Sequence, residues 1–276
     1  MPHPAPRVLQ RLLAAQRRGE RLVLVFDYDG TLTPLVAHPT LARLDPALRA
    51  VLARLAATPR VTVGVVSGRS LDDVAGMVGL PELCYGGSTG LELQLGGERQ
   101  IPAEAFENRA LLQGLVAAFG RQSSAYPGMW VEEKPFGFTI HYRQLAVGRI
   151  AQLRAEVMAL LEPHAALLHI LDGPMAIEVA PAIGLDKGTA LRAIVGSSGI
   201  EPTLVLFAGD AANDAPGLAA AADLGGIALG IGPAVPVVAC ERLPDPAALG
   251  VLLANLANAL AGRIRPLHGQ ALTTTN

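Results

Sequence analysis

The chain has 276 residues, 51% of them hydrophobic, and a formal net charge of −2 at neutral pH. That suits one large domain or two modest ones with ample core, and the scattered Lys and Arg exclude the basic face that nucleic acid or an anionic membrane would require. Two cysteines far apart, Cys84 and Cys240, exclude a disulfide scaffold and a zinc site and predict a reducing, cytoplasmic setting.

MPHPAPRVLQRLLAAQRRGERLVLVF lacks the basic, apolar and small-residue order of a signal peptide, and no window offers the ~18 apolar residues of a membrane span. Arg7 to Arg18 has helical spacing, with Val8, Leu9, Leu12 and Leu13 on one side. The apolar runs RLVLVF, RVTVGVV, TLVLFAG and GIALGIG predict parallel strands covered on both faces by Ala/Leu-rich helices. The fold class is therefore α/β, a Rossmann-like doubly wound parallel sheet. Between these runs the texture changes. WVEEKPFGFTIHYRQ reads as one half-exposed strand, RIAQLRAEVMALLEPH as an amphipathic helix, and LLHIL and MAIEVAP as two strands joined through an Asp-Gly turn. This predicts an inserted smaller α+β domain at 105–182, flanked by core segments 1–104 and 183–276, with Gly- and Pro-bearing connectors GGERQIPAEA and APAIGLDKG. The final GQALTTTN reads as a frayed tail.

Four stretches carry chemistry. In FDYDG, Asp27 and Asp29 stand at i and i+2 past a strand, where open α/β sheets bind ligands; the pair invites a cation or a shared proton, though a strand-ending turn also uses these residues. In VTVGVVSGRSLDDV, Ser70 and Asp73 form an acidic capping box that starts a helix beside Ser67, giving a phosphate site or simply a cap. Lys187 in GLDKGTALRAIV opposes a helix dipole unless an anion lies nearby. TLVLFAGDAANDAPGLAAA ends a strand on Asp210, with Asp214 four residues on as a metal residue or a helix-terminal charge. GGSTG at 86–90 matches a nucleophile elbow, but LELQL after it alternates like a strand where an elbow needs a helix, which argues against Ser88 as nucleophile. In MAIEVA, Glu178 projects from a face of small side chains, leaving room for a ligand.

In this order, D-x-D-G-T, S-G, a lone Lys and G-D-x-x-x-D resemble the signature motifs of haloacid dehalogenase-like phosphatases. Within that superfamily the chain resembles the trehalose-6-phosphate phosphatases from about Leu22 to Leu260, through STGLEL, VEEKPFGFTIHYR, IEVAP and DKGTAL as well. The resemblance implies a Mg2+-dependent phosphatase that releases trehalose from its 6-phosphate through an aspartyl-phosphate, with the insert as a specificity cap. Asp27 then corresponds to the nucleophile, Asp29 to the general acid/base, and Ser67 and Lys187 to phosphate ligands. Asp27, the Asp29 carbonyl, Asp210 and, directly or indirectly, Asp214 would hold the metal. Thr31, Gly68, Arg69, Lys134, His141, Arg143 and Glu178 would contact substrate. Thr89 and Ala180 stand where a His and a basic residue are usual, and Ala211 where a second acid is common. The partner implied is a small-molecule sugar phosphate, with no nucleic acid, membrane or obligate protein partner. The alternatives are another sugar or glycosyl phosphate, of the sucrose-phosphate or mannosyl-phosphoglycerate kind, and a catalytically silent sugar-phosphate-binding domain.

Overall fold

The structure is a computed structural model that describes residues 4–173, 175–197, 199, 203–235 and 241–262. Cys240 and the GQALTTTN tail lie outside the described residues. Helix α1 (Pro4–Arg17) precedes strand β1 (Arg21–Phe26), followed by α2 (Pro46–Ala56), β2 (Val61–Val66), α3 (Leu71–Val78) and β3 (Cys84–Gly87). A hairpin of β4 (Glu92–Leu95) and β5 (Glu98–Gln100) leads into α4 (Glu104–Glu107) and α5 (Arg109–Gln122). Next come β6 (Trp130–Lys134), β7 (Gly137–His141), α6 (Val147–Leu161), β8 (Leu168–Gly173) and β9 (Ala176–Pro181). The chain then adds α7 (Lys187–Gly196), β10 (Thr203–Gly209), α8 (Ala215–Asp223), β11 (Ile227–Ile231), β12 (Glu241–Leu243) and α9 (Pro246–Ala261).

The first sheet runs β12-β11-β10-β1-β2-β3-β4-β5, parallel except for the last two pairings. Alternation along β1 explains the double winding. Leu22, Leu24 and Phe26 pack with α1, α2, α3 and α9, while Val23 and Val25 pack with α7 and α8 on the opposite face. All six residues of β1 are buried, which is why its sequence is continuously apolar.

The second sheet, β6-β7-β9-β8, is antiparallel throughout. Phe138, Ile140, Ile177 and Val179 pack against α5 and α6 through Leu112, Leu115, Phe119, Leu153 and Val157. The opposite face, bearing Glu132, Lys134, Thr139, His141 and Glu178, lines a cavity that also touches the carboxyl ends of β1, β2 and β10. Leu91, Ala105 and Phe136 form a small apolar cluster of their own.

Two local readings need correction. WVEEKPFGFTIHYRQ forms two strands rather than one, because Lys134 pairs with Gly137 across a reversal at Pro135 and Phe136; proline has no N–H for a ladder, and a Gly137 Cβ would stand 2.4 Å from the Val179 carbonyl oxygen. Asp172 and Gly173 are not the turn between the last two strands of this sheet. They still pair with Ile177 and Ala176, and the chain reverses just beyond them, with Met175 at φ 62°.

Beyond β1 the chain doubles back tightly. The N–H groups of Leu32 and Thr33 donate to the Tyr28 carbonyl, each at 3.0 Å, and Gly30 donates to the Thr33 carbonyl at 2.8 Å. Gly30 has φ 85°, and a Cβ there would lie 2.1 Å from Asp210 Oδ2. Gly30→Ala is therefore expected to lower stability by about 1–3 kcal/mol and to displace Asp210. Gly96→Ala, where φ is also positive but nothing lies within 4 Å, carries only the backbone cost. Denaturant midpoints of the two variants test this, and equal losses would show that the close approach to Asp210 does not matter.

Candidate active site

At the end of β1 the two aspartates of FDYDG go to different partners. Asp27 prolongs the strand pairing, its N–H donating to the Ala208 carbonyl at 2.9 Å. Its buried carboxylate accepts from Lys187 Nζ at 2.6 Å. Lys187 is the first residue of α7, whose start is set by a reciprocal capping box: Thr189 N–H donates to Asp186 Oδ1 and Asp186 N–H to Thr189 Oγ1, each at 2.8 Å. The anion that a lysine at that position calls for is supplied by Asp27 and by Asp214, whose Oδ1 accepts from the same Nζ at 2.6 Å. The Lys187 side chain is 1% exposed, so it touches the cluster from beneath rather than lining the cavity.

Asp210 follows β10 and completes the cluster. One carboxylate oxygen each of Asp27, Asp210 and Asp214 lie within 4.8 Å of one another. Asp214 is a helix-terminal acid and a cluster member together: its Oδ2 accepts the N–H groups of Asp210 and Ala211, both at 2.9 Å. With Lys187 on Oδ1, each Asp214 oxygen already has a partner. Thr31, expected as a substrate contact, is wholly buried and donates to Asp210 Oδ1 at 3.4 Å.

Burial and the neighbouring Asp214 push the Asp210 carboxyl up to about 6. Burial pushes Asp27 up as well, against the pull of Lys187 and with the push of Asp214 and Asp210. For Lys187, burial would favour the neutral amine, but Asp214 and Asp27 outweigh it and hold the ammonium well above the usual lysine range. Three carboxylates face one ammonium here, an excess of two negative charges when all are ionised. A hard divalent cation with oxygen ligands fits both that charge and that donor set.

Asp29 lies outside this cluster. Its carboxylate is gripped by Arg69, Nε donating to Oδ2 at 2.6 Å and Nη2 to Oδ1 at 2.7 Å. Arg69, expected as a substrate contact, is thereby committed to protein acceptors, and any metal contact by Asp29 falls to its backbone carbonyl. Ser67 Oγ accepts from the Arg69 N–H at 3.2 Å, which leaves its own hydroxyl proton free to donate into the cavity that Ser67 and Gly68 line. The helix α3 start is close-packed: Ser70 caps Asp73 N–H at 3.3 Å, and a Cβ on Gly87 would lie 2.2 Å from the Leu71 nitrogen. Asp73 uses its side chain on Arg69, at 3.5 Å.

Across a cavity of about 220 Å³ stand the side chains of the second sheet. Lys134 Nζ donates to the Gly68 carbonyl at 2.8 Å and to Glu178 Oε1 at 3.0 Å, and Thr89 donates to the same carboxylate oxygen at 3.2 Å. His141 Nε2 meets Glu132 Oε2 at 2.7 Å. Arg143 reaches the Val36 carbonyl at 3.3 Å. Trp130 is stacked between His38 and His141, ring centroids 5.0 and 4.1 Å away. His38, Trp130 and Glu132 are site residues that sequence reasoning missed. Glu132 was within reach of it, since it stands two residues before Lys134 and shares its face. His38 sits on a loop with no pattern to reveal it. Ser88, by contrast, donates to buried Glu92 at 2.8 Å and precedes a strand, as expected for a residue that is no nucleophile.

Comparison with known proteins assigns the chain to a family. The family model described as trehalose-phosphatase matches residues 25–221. The trehalose-phosphate phosphatase of Mycobacterium tuberculosis is 36% identical over 215 residues, 76% of this chain and 54% of that protein, so the chain spans about half the length of the curated relatives it matches. Among solved structures, the C-terminal domain of a C. albicans trehalose-6-phosphate phosphatase is similar with a TM-score of 0.79 at 22% identity, over 91% of this chain and 96% of that one. A Bacteroides thetaiotaomicron phosphatase of the haloalkanoate enzyme superfamily shares the fold at a TM-score of 0.55 and 17% identity, over 87% and 96%. Because the family model covers more than half of the chain, including the segments that carry the acidic cluster, the chain belongs to the trehalose-phosphatase family.

Proposed function

We propose that the chain hydrolyses trehalose 6-phosphate to trehalose and phosphate. The observation that carries this reading is that a buried acidic cluster with its lysine and the polar face of the second sheet close on one cavity, so phosphate chemistry and sugar recognition face each other. Residues 105–182 act as the cap and 1–104 with 183–276 as the catalytic core. Asp27, Asp210 and the Asp29 carbonyl would hold magnesium, which when bound would supply the charge cancellation that lets an anionic nucleophile approach a phosphate. Asp214 serves that site indirectly, through Lys187 and the Asp210 backbone. Cys84, free and buried, agrees with a reducing cytoplasm, and among the described residues no helix is long and apolar enough to cross a membrane.

Asp27 attacks phosphorus, and the electron pair of the broken P–O bond leaves with the sugar oxygen, giving an aspartyl-phosphate that water then hydrolyses. Asp29 delivers a proton to that oxygen and afterwards takes one from the attacking water, a task worth ~10²- to 10⁴-fold. The Ser67 hydroxyl and the N–H groups that open α3 steady the phosphoryl oxygens. Lys187 favours the ionised form of Asp27 and holds the carboxylate in place. Sugar hydroxyls replace the present contacts of Lys134 and Glu178. A cavity of about 220 Å³ is smaller than the ~300–1,000 Å³ of small-molecule pockets, the size that a second sheet closed down on the core would leave before a disaccharide enters. A silent binding domain would have no use for Asp29.

Phosphate release from a panel of phosphorylated mono- and disaccharides with magnesium tests this reading. Trehalose 6-phosphate is expected to lead, with Asp27→Asn inactive but folded by circular dichroism and EDTA abolishing turnover reversibly. A flat profile would point to another sugar phosphate, and an active Asp27→Asn would remove the mechanism. Glu178→Ala is expected to raise KM for the preferred sugar phosphate about tenfold or more, from the ~1.5–3 kcal/mol of a hydrogen bond to a charged group, while sparing p-nitrophenyl phosphate. Equal effects on both substrates would mean that Glu178 does not read the sugar.

A further inference from the structure

We infer that Arg69 is a positioning residue that sets where the Asp29 carboxylate stands relative to the leaving oxygen, rather than a ligand of the substrate; this rests on the phosphatase reading above. Arg69 stands at the wall of the cavity but is only 6% exposed, and each of its guanidinium nitrogens meets a protein acceptor. Nε and Nη2 grip the two oxygens of Asp29 at 2.6 and 2.7 Å, Nη2 also donates to the Pro39 carbonyl at 2.8 Å, and Nη1 faces Asp73 Oδ2 at 3.5 Å. Its Cζ lies 5.6 Å from the Tyr28 ring centroid. A guanidinium recognises phosphate by presenting a fork of two N–H groups, and here the fork is filled by Asp29.

A two-point grip fixes the rotation of a carboxylate as well as its position, which a single charge cannot do. Asp29 needs that help. It lies on the tight turn after β1 with a side chain 33% exposed, whereas buried Asp27 is held by Lys187 and buried Asp210 by Thr31. The anchor itself is firm: Arg69 is tied to Pro39, to Asp73 in the first turn of α3, and through its own N–H to Ser67 Oγ. The proton carrier is thus referenced to the same segment that steadies the phosphate. In the step concerned, the Asp27 oxygen bonds to phosphorus, the P–O electron pair stays on the sugar oxygen, and the Asp29 proton goes to that oxygen.

The leaving group separates this role from a staple between loop and helix. A sugar alkoxide needs the proton as it departs; p-nitrophenolate does not. In the full chain with magnesium, Arg69→Met is expected to lower kcat/KM on the best sugar phosphate by ~10²-fold or more relative to its effect on p-nitrophenyl phosphate. Arg69→Lys should recover little of that ratio, because an ammonium offers no fork. Adding Arg69→Met to Asp29→Asn should leave the sugar-phosphate kcat/KM of the single Asp29 variant nearly unchanged, since both remove one function. Equal losses on the two substrates, or additive losses in the double variant, would overturn the assignment and mark Arg69 as a phosphate contact or a structural tie. Wild-type turnover of both substrates is read first: if it cleaves neither, the phosphatase reading falls and this role with it; if it cleaves both, the Arg69 outcome judges the positioning role alone.

Discussion

Everything at the carboxyl end of the first sheet depends on one buried ammonium. Asp27 comes from the end of β1 and Asp210 and Asp214 from the turn after β10, and burial pushes the Asp27 and Asp210 carboxyls toward their neutral forms. Lys187 answers two of them at 2.6 Å, and it can do so only because two helices start side by side. A Cβ on Gly188 would stand 2.6 Å from the Pro216 carbonyl oxygen, and one on Gly209 would stand 2.4 Å from the Asp214 side chain. Glycine at these positions lets the first turns of α7 and α8 approach until lysine and aspartate meet. Pairing offsets part of the cost of burying these charges, and removing one partner of such a pair typically costs ~3–5 kcal/mol.

The second sheet solves a different problem with ordinary means. Period-two alternation along β9 puts Ile177 and Val179 into the apolar layer under α5 and α6 and leaves Glu178 on the opposite face. A polar residue there faces either solvent or a neighbour, and the neighbour is the core: Lys134 on the Gly68 carbonyl, Thr89 on Glu178, Arg143 on the Val36 carbonyl. These contacts are few and polar, which under the proposed function would suit a surface that exchanges them for sugar hydroxyls and reforms them after release.

What could be read from the chain follows from how local each feature is. The continuously apolar β1 run, the alternation at Glu178 and the anomalous Lys187 each carry a signal within a few residues, and the parallel core with its separate antiparallel sheet follows from such signals. The hairpin at Pro135 was missed because both halves of 130–144 alternate alike and only pairing across the reversal tells two strands from one. The roles of Thr31 and Arg69 were missed for a further reason. Spacing places both beside the phosphate loop, but it cannot say whether a side chain turns outward to a ligand or sideways to Asp210 or Asp29. That choice is made by partners 179 and 40 residues away in sequence.

The tripeptide Ser67-Gly68-Arg69 joins these two halves of the molecule. Ser67 presents a hydroxyl to the cavity, Gly68 offers its carbonyl to Lys134 of the second sheet, and Arg69 grips Asp29. A side chain on Gly68 would lie 3.2 Å from the Glu178 carboxylate, so the second sheet comes down almost directly on the backbone of this segment. In the proposed reaction the phosphate would be held on one side of this tripeptide and the sugar on the other. Under the proposed function, the second sheet's contact on Gly68 would act within one residue of both the Ser67 hydroxyl and the Arg69 grip on Asp29, so sugar recognition and proton delivery would share one short segment without a longer path through the fold.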